Sequence, residues 1–600
     1  MQVISKPNGG ITTMAAPNSD QPTLLSTYKT QDDEHTQQRQ QELEQGTGTL
    51  TSATYSEDQY PSGLRLFLIL FSFLVSMFLV ALDRLIIATA LPKITDDFHS
   101  VTDIGWYGSA YLLSTCAFQL LFGKLYAYFP VKHVVVLSVI FFEIGSAICG
   151  TAQSSIALIA GRAIAGVGDA GILAGSTVVL VYSVPLCRRP KYQGICGAVF
   201  AIASAVGPLL GGAFTSSHAT WRWCFLINLP LGGVALLLIA CAMKPLGQTH
   251  EKASLGDRLR QLDIKGTIAL IPGVVCLLLA LQWGGIKYAW NAPRSIILMV
   301  LAAVLLLVFV AIQVLLPETA TIPPGIIKQR SIVFSAWISF FFGGQLMIFL
   351  YFIPVYLQAI KGFSAIESGI RILPLILSIT IFGAISGTVT TRIGYYNPVL
   401  ILGACVMAIG GGLLTTLTVK TEVGQWSAYQ VIYGMGVGLS SQVANLAAQT
   451  VLRESEADVS VGVGIMFFSQ TFGGAIFTSV GQDILNSQLE KHTMGLHDGI
   501  DLEKSGATTL TNLPAELRGP LLDGYNVALR AVFVVGLILV CFVVVGAGGL
   551  EWRSVKGYTG FDPKNNDSGS LSAPEQMLEG KNILAQVDKE KESDETGPTP

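Results

Sequence analysis

Between residues 64 and 550 the chain carries about fourteen apolar stretches, each long enough to cross a bilayer and separated by short polar turns. A helix rising 1.5 Å per residue needs roughly 20 apolar residues to span the hydrocarbon. No soluble core could bury so many runs of that length. The fold this predicts is an all-α integral membrane protein. Apolar residues make up 51% of the chain and charged residues 13%, about half the usual soluble share, which fits that reading.

Spans are predicted at 64–91, 104–128, 133–152, 156–183, 192–215 and 221–243. Two more follow at 266–284 and 295–316, then six at 332–358, 366–391, 397–418, 426–450, 459–481 and 527–548. Residues 1–62 are polar and rich in Gln, Thr, Ser and Asp, and 551–600 contains the run Lys589-Glu590-Lys591-Glu592. Both read as disordered tails with no cleavable signal, the stretch Gln37–Gln45 being at most weakly helical. The sequon at Asn566 lies in a tail expected to stay in the cytosol, where it would not be glycosylated.

An even span count puts both tails on one side. Loops on that side hold Lys132, Arg188, Arg189, Lys191, Lys244, Lys252, Arg258, Arg260, Lys265, Lys328, Arg330, Arg392 and Arg453, and the alternate short loops hold fewer cations, Lys93, Arg222, Lys287, Arg294, Lys361 and Lys420. The positive-inside rule places this basic face, and both termini, in the cytosol, with the long loop 482–526 outside. The expected organisation is an N-terminal bundle over 63–246, two inserted spans within 247–317, and a C-terminal bundle over 318–550. A weak internal repeat supports it. The second span ends on Gly123-Lys-Leu-Tyr-Ala-Tyr-Phe-Pro130 and the tenth on Gly387-Thr-Val-Thr-Thr-Arg-Ile-Gly394. Two spans later come Gly166-Val-Gly168 and Gly434-Met-Gly436-Val-Gly438. Two six-helix bundles in parallel repeat are a transporter architecture.

Glycine is abundant, at 63 residues, and sits inside the spans, where small residues let helix backbones approach. The nine cysteines show no metal-ligand spacing and read as packed, reduced thiols. Gly166-Val-Gly168-Asp-Ala-Gly171 imitates a dinucleotide fingerprint but lacks the βαβ unit that fingerprint needs. With no phosphate loop, no basic face of nucleic-acid size and no nucleophile–base or metal constellation, the expected protein is not an enzyme, has no cofactor or metal, and binds no nucleic acid.

Ionisable residues deep in a membrane cost about 2.5–3.5 kcal/mol each on insertion scales and so need a partner, a wet cavity or a purpose. They are Asp83 and Arg84 in the first span, Glu143 in the third, and Arg162 and Asp169 in the fourth, all in the first half. Asp83, Glu143, Arg162 and Asp169 are the proton-coupling candidates. Arg162, Gly166 and Asp169 recur at i, i+4 and i+7 and share a helix face. Arg162 can therefore modulate a carboxylate, Asp83 or Asp169, or simply form a structural pair with Asp169. Lys124, Glu367, Arg371 and Arg530 lie near span ends, where long side chains reach the interface.

For a mostly apolar substrate with a few hydrogen-bonding groups, the candidate contacts are Arg84, Gln119, Gln345, Tyr351, Tyr356, Gln442, Asn445 and Gln470, with Phe341, Phe342, Phe467, Phe468 and Phe472 nearby. In the fifth span, Gly207-Pro208-Leu-Leu-Gly211-Gly212 supplies a small-residue stripe with Ala203, and Pro208 predicts a kink near residue 204.

At these residues the chain resembles the major facilitator superfamily, in its fourteen-span drug:proton antiporter branch. Leu82-Asp83-Arg84 through Pro92 is similar to that branch's first-helix motif. Gly161-Arg162-Ala-Ile-Ala-Gly166-Val-Gly168 resembles the proton-linked arginine motif, and Gly207–Gly212 the antiporter motif. Trp221-Arg222-Trp223-Cys-Phe-Leu-Ile-Asn228-Leu-Pro230 resembles a signature of fungal toxin and multidrug efflux members. The resemblance implies alternating access by two rocking bundles, proton influx driving export of a hydrophobic small molecule, proton coupling at Arg162 and Asp83, and a leak seal at Gly207–Gly212. It implies a plasma-membrane protein, with a vacuolar or vesicular membrane as the alternative, acting as a monomer. A fourteen-span iron-chelate transporter and a transporter-like nutrient sensor are the competing readings. The loop after the second span departs from the family pattern: Ala127, Tyr128 and Val131 stand where an Asp and basic residues are usual, and only Lys132 keeps a charge. Asp169 stands where a small neutral residue is usual, as a private proton or cation site would.

Overall fold

The computed structural model describes residues 60–100, 103–218, 220–243, 255–285, 288–493 and 515–556. Most of both expected tails, with Gln37–Gln45, the Lys589 run and the sequon, lies outside the described residues, as does the middle of loop 482–526. Fourteen helices follow one another: α1 (Gly63–Phe98), α2 (Ile104–Tyr128), α3 (Val131–Thr151), α4 (Ser155–Ser183), α5 (Arg189–Ser216), α6 (Asn228–Ala242), α7 (Ile264–Trp283), α8 (Pro293–Leu315), α9 (Arg330–Ala359), α10 (Leu373–Ile393), α11 (Asn397–Thr415), α12 (Val423–Ser440), α13 (Glu456–Thr493) and α14 (Ala515–Gly549). Short helices precede α6 (Trp223–Leu226) and α10 (Ala365–Arg371), and a nine-residue helix, Val443–Val451, continues α12 after a break at Ser441-Gln442.

Local chemistry sets the ends. Ser154 caps α4, its hydroxyl accepting from the Ala157 amide at 3.3 Å. Pro190, Pro293, Pro374 and Pro398 stand in the first turns of α5, α8, α10 and α11, where a missing amide hydrogen leaves no gap. Helix α5 runs through Pro208 as one element.

Twelve helices among the described residues are long and apolar enough to cross a membrane. The two expected spans that fall short of that hydropathy are α2 and α12. Both are screened by protein: α2 packs against α4, α7 and α13, and α12 against α10 and α11. A helix shielded from lipid can carry Thr115, Gln119 and Lys124, or Gln430 and Ser440, without an apolar window.

The internal repeat appears as paired packing. In the first half α1 packs on α5 and α6, α2 on α4, and α3 on α4 and α6. In the second, α9 packs on α13 and α14, α10 on α12, and α11 on α12 and α14. The halves meet along two equivalent seams, α5 with α10 and α2 with α13. Backbones nearly touch there: a Cβ on Gly123 would lie 3.2 Å from the Gly464 Cα, and one on Gly194 would lie 2.9 Å from the Gly383 carbonyl oxygen. The extra pair, α7 and α8, pack on each other, and α7 leans on α2 and α13. Helix α8 buries only Ser295, Ala302 and Phe309, leaving the rest of its surface for lipid.

Two boundaries differ from the hydropathy reading. Helix α13 extends past residue 481 through the polar stretch to Thr493, because helix formation needs no apolar side chains once the end leaves the membrane. Residues 551–556, expected to be disordered, dock on the α10–α11 turn: the Val555 amide donates to the Gly394 carbonyl at 2.9 Å and the Tyr396 hydroxyl to the Glu551 carbonyl at 3.1 Å. All nine cysteines are free.

Candidate functional site

Helix α4 carries small residues where it meets α2 and α3, so its backbone sits deep in the first bundle and its few long side chains have nowhere to go but inward. Arg162 is 1% exposed and forms an ion pair through Nη1 with Asp83 Oδ2 on α1, itself fully buried. Its Nε donates to the Tyr107 carbonyl at 2.9 Å, and the guanidinium lies 4.2 Å from the centroid of the Tyr111 ring. The second carboxylate oxygen of Asp83 accepts from Asn228 Nδ2 at 3.1 Å, and the same nitrogen reaches Ser146 Oγ at 3.1 Å. Residues of α4 and α6 thus converge on one carboxylate of α1, and α3 is tied in through Asn228.

Two turns along α4, Asp169 does not pair with Arg162. Its Oδ2 accepts from Arg84 Nη2 at 2.5 Å, from Arg84 Nε at 3.2 Å and from the Thr115 hydroxyl at 2.8 Å. Asp169 Oδ1 is buried with no protein partner. Arg84, expected among the substrate contacts, is thereby committed to an ion pair, although its side chain keeps 17% exposure. The Tyr111 ring is shared by the two guanidinium groups, its centroid lying 5.8 Å from that of Arg84. Buried pairs of this kind add little net stability, but losing one partner strands a charge.

Glu143 lies apart from this cluster, on the face of α3 that meets α6. Both of its carboxyl oxygens are buried without a partner, in space left by Gly232. In the second bundle the positions matching α1 and α4 are α9 and α12, and the link there is neutral: the Tyr433 hydroxyl donates to Gln345 Oε1. Gln345 Nε2 is buried without a partner.

The remaining expected substrate contacts do not gather into one site. Gln119 is fully buried inside the first bundle, its Nε2 donating to the Ala170 carbonyl at 3.2 Å. Tyr356 ties the end of α9 to the loop between α11 and α12, donating to the Thr418 carbonyl at 2.8 Å. Tyr351 is 53% exposed. Asn445 is buried, and Gln470 packs its backbone against Gly343. Gln442 lines a small cavity at the α5–α10 seam together with Gln193, whose two amide atoms are buried and unpartnered.

The glycine stripe on α5 faces α1 in the same bundle. A Cβ on Gly207 would come 3.3 Å from the Ile86 amide nitrogen, and one on Gly211 would collide with the Ile86 carbonyl and the Thr89 hydroxyl. Pro208 turns the other way, toward Gly369 of the second half, with Gly212 next along the helix. Lys124, near the end of α2, is covered by protein: its ammonium sits 5.3 Å from the Tyr128 ring centroid, among the charges of Asp263 and Asp458. Among the described residues no group of three His, Cys, Asp or Glu side chains could hold a metal ion.

Sequence reasoning missed Asn228, Tyr107, Tyr111 and Thr115 as parts of the charged cluster. Asn228 was within reach: it is the one amide in the apolar run 224–242.

The profile of the Major Facilitator Superfamily matches residues 73–478. A "Rubrofusarin-specific efflux pump aurT" from Gibberella zeae is 47% identical over 84% of this chain and 92% of its own length. An "MFS-type efflux pump MFS1" from Arthroderma benhamiae is 46% identical over 86% of this chain and 96% of its own, and an "Efflux pump aflT" from Aspergillus parasiticus is 46% identical over 82% and 97%. Among solved structures, a double-tryptophan mutant of XylE superposes with a TM-score of 0.54 at 13% identity, covering 82% of this chain and 97% of that one, a likeness of fold.

Proposed function

The chain belongs to the Major Facilitator Superfamily and is a membrane transporter, not an enzyme; from that premise we propose that it exports a hydrophobic small molecule, of the toxin or secondary-metabolite kind, in exchange for protons. The observation that carries this reading is the confinement of the charged network to one bundle. Asp83–Arg162 and Arg84–Asp169 join α1 to α4, whereas among the described residues the polar link between the matching helices of the other bundle is a neutral tyrosine–glutamine bond. One lobe then handles protons and the other offers uncharged hydrogen-bonding groups to an apolar cargo.

In this reading Asp83 takes the transported proton, Arg162 reports its charge state, and Asp169 with Arg84 forms a second proton-sensitive pair, Glu143 being a further candidate. The two seams, α5–α10 and α2–α13, are the surfaces along which the bundles rock. Export is the direction supported by the efflux pumps at 46–47% identity. The basic loops support cytosolic termini, and in this reading the protein works as a monomer in the plasma membrane, a vacuolar or vesicular membrane being the alternative.

The test is transport in proteoliposomes of the full chain under an imposed pH gradient, with rubrofusarin, the compound in one relative's name, as the first probe. Accumulation that collapses when an ionophore removes the gradient supports the reading. Movement that ignores the gradient overturns proton exchange.

A further inference from the structure

Asn228 has no role in the reading above, yet it touches the carboxylate on which that reading rests. It is fully buried, at the first position of α6, and bridges α1 to α3. Its Nδ2 has two hydrogens, and the structure uses both: one toward Asp83 Oδ1 at 3.1 Å, one toward Ser146 Oγ at 3.1 Å. The opposite amide orientation would set a carbonyl oxygen against a carboxylate, two acceptors face to face. The donor therefore faces Asp83. Among the described residues the two oxygens of Asp83 are divided cleanly, Oδ1 to Asn228 and Oδ2 to Arg162.

We propose that Asn228 is a positioning residue that steers the transported proton onto Asp83 Oδ2, so that proton uptake and the release of Arg162 are one event. An amide N–H cannot accept a hydrogen bond. With the amide held in this orientation, a hydrogen on Oδ1 directed at Asn228 would break that bond and gain no acceptor, because Asn228 Oδ1 makes no bond to Asp83 and is buried without a partner. On Oδ2 the same hydrogen takes the place of the guanidinium N–H. The carboxylate becomes a neutral acid, Arg162 keeps its own protons, and nothing else is exchanged. Once freed, Arg162 still has the Tyr107 carbonyl and the Tyr111 ring, both on α2, so its allegiance passes from α1 to α2. Without Asn228 the proton could rest on Oδ1 while Arg162 stayed on Oδ2. Binding a proton would then move nothing. The other charged or titratable groups near Asp83 are Asp169 with Arg84, Glu143, Tyr111, Cys149 and Cys224, none of which bonds to either oxygen.

This rests on proton exchange through Asp83, and the experiment separates the two. Wild type, Asn228→Leu and Ser146→Ala, each as the full chain in liposomes, are compared for uphill movement of rubrofusarin driven by a pH gradient and for rubrofusarin exchange with no gradient. Asn228→Leu should lose uphill transport at least tenfold while exchange stays within twofold of wild type. Ser146→Ala, which leaves Asn228 its bond to Asp83, should keep both within twofold. Asn228→Leu vesicles that pump uphill like wild type overturn the proposal and leave proton exchange standing. Equal loss of exchange and uphill transport in Asn228→Leu, or uncoupling by Ser146→Ala as deep as by Asn228→Leu, makes the role one of packing and also overturns it. Wild-type transport indifferent to the gradient sinks both.

Discussion

Asp83 and Arg84 are neighbours on α1 yet send their charges to opposite partners on α4, Asp83 to Arg162 and Arg84 to Asp169. Arg162 and Asp169 are seven residues apart, two turns of helix, so the two pairs follow one another along the α1–α4 contact, and both cations lie near the Tyr111 ring. Moving α1 against α4 disturbs both pairs at once.

Replacing Arg162 with leucine leaves Asp83 buried with only an amide for company. Breaking a buried pair costs about 3–5 kcal/mol because one charge is stranded, and replacing both partners with apolar groups costs far less. Arg162→Leu should therefore lower the thermal midpoint of the purified protein, and adding Asp83→Leu should restore most of it. Neither variant should show gradient-driven efflux. Thermal melting and vesicle transport check the two halves of this expectation.

The second pair should be more forgiving. Asp169→Asn leaves Arg84, whose side chain is 17% exposed and can find water, whereas Asp83→Asn leaves Arg162 at 1%. The drop in thermal midpoint should be clearly smaller for Asp169→Asn. Equal drops would mean that exposure of the stranded cation does not decide the cost.

On α5 the stripe should fail by steric contact with α1. Gly211→Leu places a branched side chain against the Ile86 carbonyl, backbone that cannot turn aside, and transport should fall at least tenfold. Gly207→Leu should fall less far, its first atom arriving at 3.3 Å. Gly233→Ala on α6 meets nothing within 4 Å and should transport normally, with stability unchanged or raised by up to about 1 kcal/mol. Surface expression and efflux measured together separate folding from function.

At the α5–α10 seam, Gly194→Phe should hold the basic face ajar, because a side chain there has only 2.9 Å to the Gly383 carbonyl at its first atom. The measurement is maleimide labelling of Gln442→Cys in a background without other cysteines. Labelling should rise when Gly194→Phe is added, and unchanged labelling would show that this seam closes without tight backbone contact.

How much of this could be read from the chain depended on the range of the signal. Length and hydropathy placed twelve of the helices outright, because a span facing lipid announces itself locally, while α2 and α12, screened by protein, gave a weaker apolar signal at the right length. Deep charges announced themselves too, and Asp83, Arg84, Arg162 and Asp169 do meet. Their pairing was not legible. Helical spacing puts Arg162 and Asp169 on one face and suggests they bind each other, but the register of α1 against α4 brings Asp83 and Arg84 between them and re-sorts the partners. Tyr107 contributes a backbone carbonyl, which no side-chain pattern can reveal. Substrate contacts were the least legible: an amide that fastens two helices, as Gln345 does to Tyr433, looks in sequence the same as one that waits for a ligand.

The four paired charges that join α1 to α4 sum to zero: two aspartates, two arginines. An electric field across the membrane therefore exerts no net pull on the cluster while both pairs are intact. A proton arriving at either aspartate leaves it with one positive charge, and each elementary charge crossing the whole membrane is worth about 2.3 kcal/mol per 100 mV. On the proposed proton exchange, voltage would then act on this cluster in the loaded half of the cycle and not in the unloaded half.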